Sequence, residues 1–323
     1  MKKYDVVALG ELLIDFTENG ESTQGNRLFE ANPGGAPCNV LAMLQKLNYR
    51  TAFIGKVGQD MFGMLLKNVL LEVGIETAGL CFDGSVNTTL AFVRNNEDGD
   101  RDFSFYRNPG ADMMLTTADL QEELLSDCRL FHFGTLSMTS GEAANATRRA
   151  VELAKKAGAH ISFDPNIRKP LWNSMEDAKK AVEYGMQQCD ILKISDDEIL
   201  WFTGMDDYEK AASYLCARYQ IPLLFVSLGA DGSMAFCKDN QVYAPAFRMN
   251  GTIDTTGAGD TFMGCVLSNV LEHGLTLSEA QLKQMLMFAN AAAALITTRK
   301  GALRVMPAKD EILHLIKSSK NIQ

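Results

Sequence analysis

Short, nearly unbroken apolar runs recur along the chain: "YDVVALG" (4–10), "TAFIGKVG" (51–58), "CRLFHFG" (128–134), "AHISFDPN" (159–166), "CDILKIS" (189–195) and "PLLFVSLG" (222–229). A strand that shows one face to water alternates apolar and polar positions, whereas these runs read as strands of a sheet covered on both faces. Between them, apolar positions fall at helical spacing in "PCNVLAMLQKLN", "MFGMLLKNVLLEVG", "GEAANATRRAVELAKKAG" and "SMEDAKKAVEYGMQQ". The alternation predicts βαβ crossovers, hence an α/β fold with a mostly parallel central sheet and helices on both sides. One region departs from it. "TTLAFVRNNEDGDRDFSFYRNPG" (88–110) alternates with period two around the turn residues "NNEDGD", a hairpin signal with no helix directly after it. With the segment from about Glu11 to Pro33, it is expected to form a small β-rich lid, the lid segments being about 11–33 and 82–110. No linker, low-complexity tract or internal repeat marks a second unit, so residues 1–323 read as a single domain.

Composition narrows the function. The chain has 323 residues, 46% of them apolar and 22% charged, enough for a large core. A formal charge of −9 argues against nucleic acid or an anionic membrane as partner, because no basic stripe is present to displace counterions. A small molecule is the expected partner. The N-terminal apolar run is too short to span a bilayer, is interrupted by Glu11 and Asp15, and carries no signal-peptide cleavage pattern, so a cytoplasmic protein is expected. The seven cysteines contain no C-x-x-C pair and the four histidines no H-x-x-H set; neither disulfides nor a zinc site are expected.

The candidate chemistry lies late in the chain, in "DTTGAGDTFMG" (254–264). Downstream of it Phe262, Cys265, Val266, Asn269 and Val270 recur at helical spacing, which puts Gly257, Ala258 and Gly259 at a helix N-terminus. Unpaired N–H groups and the positive end of the dipole favour an anion there, and glycines let a phosphate approach closely. Asp260 stands in the first helical turn, either as an ordinary acid favoured by the dipole or as a base beside a phosphate cradle. Two other nucleotide signatures are missing: no G-x-x-x-x-G-K-[ST] occurs, and Gly10 after the first strand is not followed by x-G-x-x-G.

"GGAPCNVLAMLQKLNYRTAFIGKVGQDMFG" (34–63) and "DTTGAGDTFMG" together resemble the paired signatures of the ribokinase-like, PfkB-type carbohydrate kinases, in order and spacing over nearly the whole chain. "GELLIDF", "FYRNPGADMML", "FDPNIRKPLW", "LKISDDEI" and "TTRKGAL" are most similar to the fructokinases among them. The resemblance implies a three-layer α/β/α kinase with a β-rich lid, ATP and Mg²⁺ as cofactors, a potassium ion, and transfer of the γ-phosphoryl group to the 6-hydroxyl of D-fructose. It implies that Asp260 is the catalytic base and that the N–H groups of Gly257, Ala258, Gly259 and Asp260 form the anion hole. Asp15, Gly34, Gly35 and Asn39 match the sugar site, although Asn39 near Pro37 at a helix start also reads as a cap. Arg168 in "DPNIR" matches a cation near the sugar and the transferred phosphate, or else is a surface arginine. Arg107 is expected to reach the sugar from the lid and Phe105 to cover it, against a core reading for the aromatic.

On the nucleotide side, many family members carry Asn-x-x-Glu where this chain has Ser195-x-x-Glu198, which is also a plain capping box. Glu198 is still assigned to the Mg²⁺ and phosphate water network, with Lys193 bringing charge toward the phosphates. Ser227 and Gly229 match the phosphate and ribose loop, and Asn290, before an alanine run, a residue near adenine. Asp254, Thr256 and Gly301 match a monovalent-cation site. The lid edge around "TLAFV" and "FSFY" suggests a homodimer. The alternatives are 2-keto-3-deoxygluconate kinase and aminoimidazole riboside kinase within the family, and a non-catalytic sugar-binding regulator outside it.

Overall fold

A computed structural model of the chain describes residues 2–95, 101–249 and 251–320. The strands are β1 (Tyr4–Leu9), β2 (Leu13–Glu21), β3 (Arg27–Gly34), β4 (Thr51–Gly58), β5 (Glu76–Asp83), β6 (Leu90–Asn95), β7 (Arg101–Tyr106), β8 (Cys128–Gly134), β9 (His160–Asp164), β10 (Ile191–Ser195), β11 (Leu223–Ser227), β12 (Ser233–Cys237) and β13 (Asn240–Ala244). The helices are α1 (Ala36–Lys46), α2 (Met61–Glu72), α3 (Glu122–Ser126), α4 (Gly141–Lys156), α5 (Met175–Gln188), α6 (Asp196–Thr203), α7 (Tyr208–Tyr219), α8 (Ala258–His273), α9 (Glu279–Ile296) and α10 (Lys309–Lys320).

Nine strands form one sheet in the order β13-β12-β11-β10-β9-β8-β1-β4-β5, parallel except where β12 meets β11 and β13. All six apolar runs lie in it. Their two-residue period sorts side chains into two cores: Val6 and Ala8 of β1 face the side of α1, α8 and α9, while Val7 and Leu9 face the side of α4, α5 and α7. Helix, sheet and helix thus form three layers, a ribokinase-like α/β/α arrangement. No described helix is long and apolar enough to cross a membrane.

The smaller sheet, in the order β3-β2-β6-β7, is the expected lid. Its first two strands come from 13–34 and its other two from 90–106, while β5 pairs with β4 in the large sheet as far as Asp83, so 82–83 lie outside it. The turn residues 96–100 lie outside the described residues. Strand alternation gives the lid two chemistries. Leu13, Asp15, Val93 and Phe105 face the cleft below, while Phe16 and Phe92 stack at 4.9 Å on the opposite face, with Phe29 and Tyr106 edge-on to Phe92. Because β6 lies between β2 and β7, "TLAFV" offers no free edge; the lid edges are β3 and β7.

Candidate active site

A cleft of about 430 Å³ opens between the lid and the C-terminal ends of the central strands, walled by the starts of α1 and α8. Gly257 sits immediately before α8 with φ +76° and ψ 0°, a left-handed conformation that suits glycine. The chain can therefore turn into the helix with its first N–H groups directed outward. Ala258 is an exception among the four residues expected to form the anion hole, since its N–H already donates to the Thr255 carbonyl at 3.3 Å. The carbonyl of Gly257 accepts from Thr261, so Gly257, Gly259 and Asp260 keep N–H groups without a partner inside the helix.

Asp260 is 8% exposed and lines the cleft. Its Oδ2 accepts from Asn39 Nδ2 at 2.8 Å, and Asn166 Nδ2 stands 3.4 Å from its Oδ1. Asn39 is thus no helix cap: it lies beyond the first turn of α1 and reaches across to α8. Burial raises the Asp260 carboxyl to about 6 against the lowering effect of the Asn39 bond; Asp164 raises it further, and Lys193 and Arg168 lower it. The dipole and N–H groups alone would have kept it fully ionised near neutrality; burial overrides part of that effect.

Asp15 enters from the lid. It lies within β2, and burial raises it to about 7 against the pull of Arg168, with Asp254 and Asp260 adding to the rise. Its carboxylate fits because Gly34 has no side chain: a Cβ there would stand 2.4 Å from Asp15 Oδ2. Gly35 has φ +132°, and a Cβ on it would meet the Glu11 carbonyl at 2.4 Å. Gly35 is required by its φ and by the approach of backbone, whereas a side chain at Gly34 would displace the end of Asp15. Arg168 lines the same cleft, follows the left-handed Asn166 (φ +46°), and has no carboxylate within ion-pair distance among the described residues.

Lys193, in the middle of β10, donates to Asp164 Oδ2 at 2.9 Å, and both side chains are buried. Burial disfavours its charge, but Asp164, Glu198 and Asp260 outweigh that and the ammonium is held more firmly than usual. It sits under the first turn of α8, since a Cβ on Gly259 would be 2.9 Å from its Nζ. The other oxygen of Asp164, Oδ1, is buried without a partner.

Several expected residues stand elsewhere. Phe105 lines the cleft, but Arg107 does not. Two residues apart on one strand they would share a face; β7 ends at Tyr106, however, and Arg107 turns into the large layer. There its Nε and Nη2 donate to Asp112 Oδ2 at 2.8 and 2.7 Å, Nη2 to the Leu136 carbonyl at 3.0 Å and Nη1 to Thr139 Oγ1 at 2.8 Å. Asp112 also accepts from Thr89, just before β6, so one buried carboxylate ties down both ends of the β6–β7 hairpin. Glu198 does not line the cleft: its oxygens accept from the N–H groups of Ile167 at 2.7 Å and Ser195 at 3.1 Å, and the capping box with Ser195 is formed.

Ser227 lies opposite Ser195, one strand farther along the sheet than Lys193, and Gly229 follows with φ +54°; neither lines the cleft. Asn290 is buried with no donor left for a base, since its Nδ2 donates to the carbonyls of Ala244 and Pro245 at 3.0 and 3.1 Å and its Oδ1 accepts from Ser233 at 2.8 Å. It fastens α9 to the end of β13. Asp254 and Thr256 line a side cavity of about 60 Å³ with Lys300, where Asp254 Oδ1 accepts the Thr256 N–H at 2.8 Å; Gly301, φ +78°, is not part of that wall.

Sequence reading missed Glu11, Asn166 and Asp164. Glu11 had a visible signal, an acid within an apolar run, and Asp164 and Asn166 flank Pro165 in the "DPNIR" segment that supplied Arg168. His132, buried beside Ser162 Oγ at 2.9 Å and held neutral by burial and by Lys193, lines a small separate cavity with Glu11, Asp164 and Asn166.

The arrangement places a base, a set of N–H donors and two cations around one cavity, which is what phosphoryl transfer to a hydroxyl requires. Residues 3–309 match the family described as pfkB family carbohydrate kinase. Fructokinase-1 of Zea mays is 40% identical over 317 residues, covering 97% of this chain and 98% of its own. Among solved structures, fructokinase with bound ATP from Xylella fastidiosa superposes with a TM-score of 0.90 at 32% identity, over 99% of this chain and 100% of that one. A fructokinase double mutant from Vibrio cholerae O395, in a form with fructose, ADP and potassium bound, gives a TM-score of 0.86 at 28% identity over 98% and 99% of the two chains.

Proposed function

We propose, from the premise that the chain belongs to the pfkB family of carbohydrate kinases, that it is an ATP-dependent fructokinase forming fructose 6-phosphate and ADP. One observation carries the reading of the site: the Asp260 carboxylate, held by Asn39, shares a cleft with Asp15 and Arg168 at the N-terminus of α8. The 6-hydroxyl loses its proton to Asp260 as its oxygen bonds to the γ-phosphorus. The bond from that phosphorus to the bridging oxygen breaks, and its electron pair leaves on ADP. N–H groups of Gly257, Gly259 and Asp260 take up the charge on the transferred group, while Arg168 and Lys193 offset the negative charge gathered there. Asp15 accepts from sugar hydroxyls and Phe105 closes the cavity from the lid. Ser227 and Gly229 support the nucleotide farther along the sheet.

Magnesium enters with ATP and neutralises phosphate charge. Among the described residues no cluster of histidine, cysteine or carboxylate side chains is suited to ligating a metal directly, but the partnerless Asp164 Oδ1 and the nearby Glu198 suit contact through water. A potassium ion fits the loop of Asp254 and Thr256, where Lys300 is drawn aside to Asn19 Oδ1 at 2.8 Å. The domain works as one unit, in the cytoplasm, with a second copy paired through the lid.

A coupled ADP-release assay with Mg-ATP tests the reading over fructose, 2-keto-3-deoxygluconate, ribose and aminoimidazole riboside. Fructose is expected to lead in kcat/KM by a wide margin, because a wrong sugar leaves buried polar groups unmet. Equal or greater activity on 2-keto-3-deoxygluconate would overturn it. EDTA should abolish turnover, and sodium in place of potassium should slow it.

A further inference from the structure

Glu11 lies in the turn from β1 to β2 and is 5% exposed. Its Oε1 accepts the N–H of Ala36 at 2.9 Å, the first residue of α1. That bond replaces a cap, because Gly35 before the helix has no side chain to fold back. Capping alone needs only one acceptor, which a serine or asparagine would supply at far lower desolvation penalty. A carboxylate offers about four acceptor positions, and beyond Ala36 and Glu11's own N–H no protein donor reaches it among the described residues. The group also lines the main cleft beside Leu13, Asp15 and Gly35. Burial pushes its pKa up to about 7, the backbone bonds lower it, and the opposed charges of Asp112 and Arg107 act from behind the wall.

We propose that Glu11 is a sugar-specificity residue, whose carboxyl receives a hydroxyl of fructose other than the one phosphorylated. The same carboxyl holds the start of α1, which carries Asn39, and Asn39 holds Asp260. Binding of the correct sugar therefore acts on the group that fixes the base. This rests on fructose being the substrate.

The test compares kcat/KM for wild type, Glu11→Gln and Glu11→Ala on fructose and on 1-deoxy-, 3-deoxy- and 4-deoxyfructose, with Mg-ATP. Wild type should lose roughly 10- to 100-fold on one analogue, the worth of a hydrogen bond to a charged group. Glu11→Ala should lose a similar factor on fructose, treat that analogue and fructose alike, and keep its KM for ATP. Glu11→Gln keeps an acceptor for Ala36 and should fall between. Glu11→Ala lowering all sugars equally, or leaving the wild-type discrimination intact, would overturn the proposal in favour of capping. If Glu11→Ala does not fold by circular dichroism, Glu11→Gln decides: full wild-type discrimination overturns, and weakened discrimination at that one analogue supports. Wild type failing to phosphorylate fructose would instead remove the fructokinase reading.

Discussion

At the scale of single residues, the proposed reaction rests on Asp260 and Asp15, and both hold their protons more tightly than free aspartate. Asp260→Asn keeps size and helix start but removes the basic oxygen. The expected result is a fall in kcat of roughly 10²- to 10⁴-fold, with fructose and ATP affinities changed only modestly by calorimetry. A variant that kept most of its kcat would make Asp260 a helix-terminal acid only. The raised values, about 6 for Asp260 and about 7 for Asp15, also set a pH dependence. A base must be ionised, so kcat/KM for fructose should climb from pH 5 to 8 and level off, with apparent values belonging to the coupled pair. Stability runs the other way. The folded apo chain binds more protons than the unfolded one between the ordinary aspartate value of 3.8 and these raised ones, so the contribution of both groups is present at low pH and lost as pH rises through about 6 to 7. Asp15→Asn should therefore raise Tm at pH 8 and leave it little changed at pH 4; thermal melts at the two pH values check this.

At the scale of elements, two junctions position these residues. The first is the turn into α1, where Gly35 holds φ +132° against the Glu11 carbonyl. Gly35→Ala combines backbone strain of about 1–3 kcal/mol with a clash against backbone, so a lower Tm and a raised KM for fructose are expected. Unchanged steady-state kinetics would show that the turn does not shape the sugar site. The second is the root of the lid, where Asp112 binds both Arg107 and Thr89. Asp112→Ala leaves a buried guanidinium without its counter-ion and should destabilise by about 3–5 kcal/mol in urea unfolding. Arg107→Met combined with Asp112→Leu removes both charges and should recover much of that loss. If the single variant were as stable as wild type, the pair would have no role as an anchor.

At the scale of the whole molecule, the lid combines a face toward the cleft, on which Asp15 stands among Leu13, Val93 and Phe105, with an aromatic face turned away, on which Phe29 is 41% and Tyr106 65% exposed. Exposed aromatics grouped on a small sheet favour association. A dimer is expected by light scattering, and Tyr106→Glu should shift it toward monomer; a wild-type monomer at assay concentrations would remove the lid as an interface. Fructose should slow hydrogen exchange at residues 88–95 and 101–106 if the lid closes on the sugar.

The sequence by itself determined the layers and, through its resemblance to the carbohydrate kinases, the reaction. Unbroken apolar runs separated by helical spacings can bury themselves in few ways other than a parallel sheet between helices, and the glycines at 257 and 259 with Asp260 mark a helix start through local backbone physics. Local signals also outlined the lid hairpin. What only the tertiary structure decided was which polar groups face one another. Asn39 and Asp260 are 221 residues apart in sequence yet 2.8 Å apart in space. Resemblance to the family sets Arg107 at the sugar, but the strand ends one residue earlier and a buried carboxylate captures it. Asn290 and Glu198 are likewise engaged by backbone groups brought to them from distant segments. Glu11 stood in view as an acid in an apolar run, but its use depended on a helix start and a cavity that folding alone places beside it. Periodicity is written locally in a chain, whereas the partner of a buried polar group is chosen by the packing of all the others.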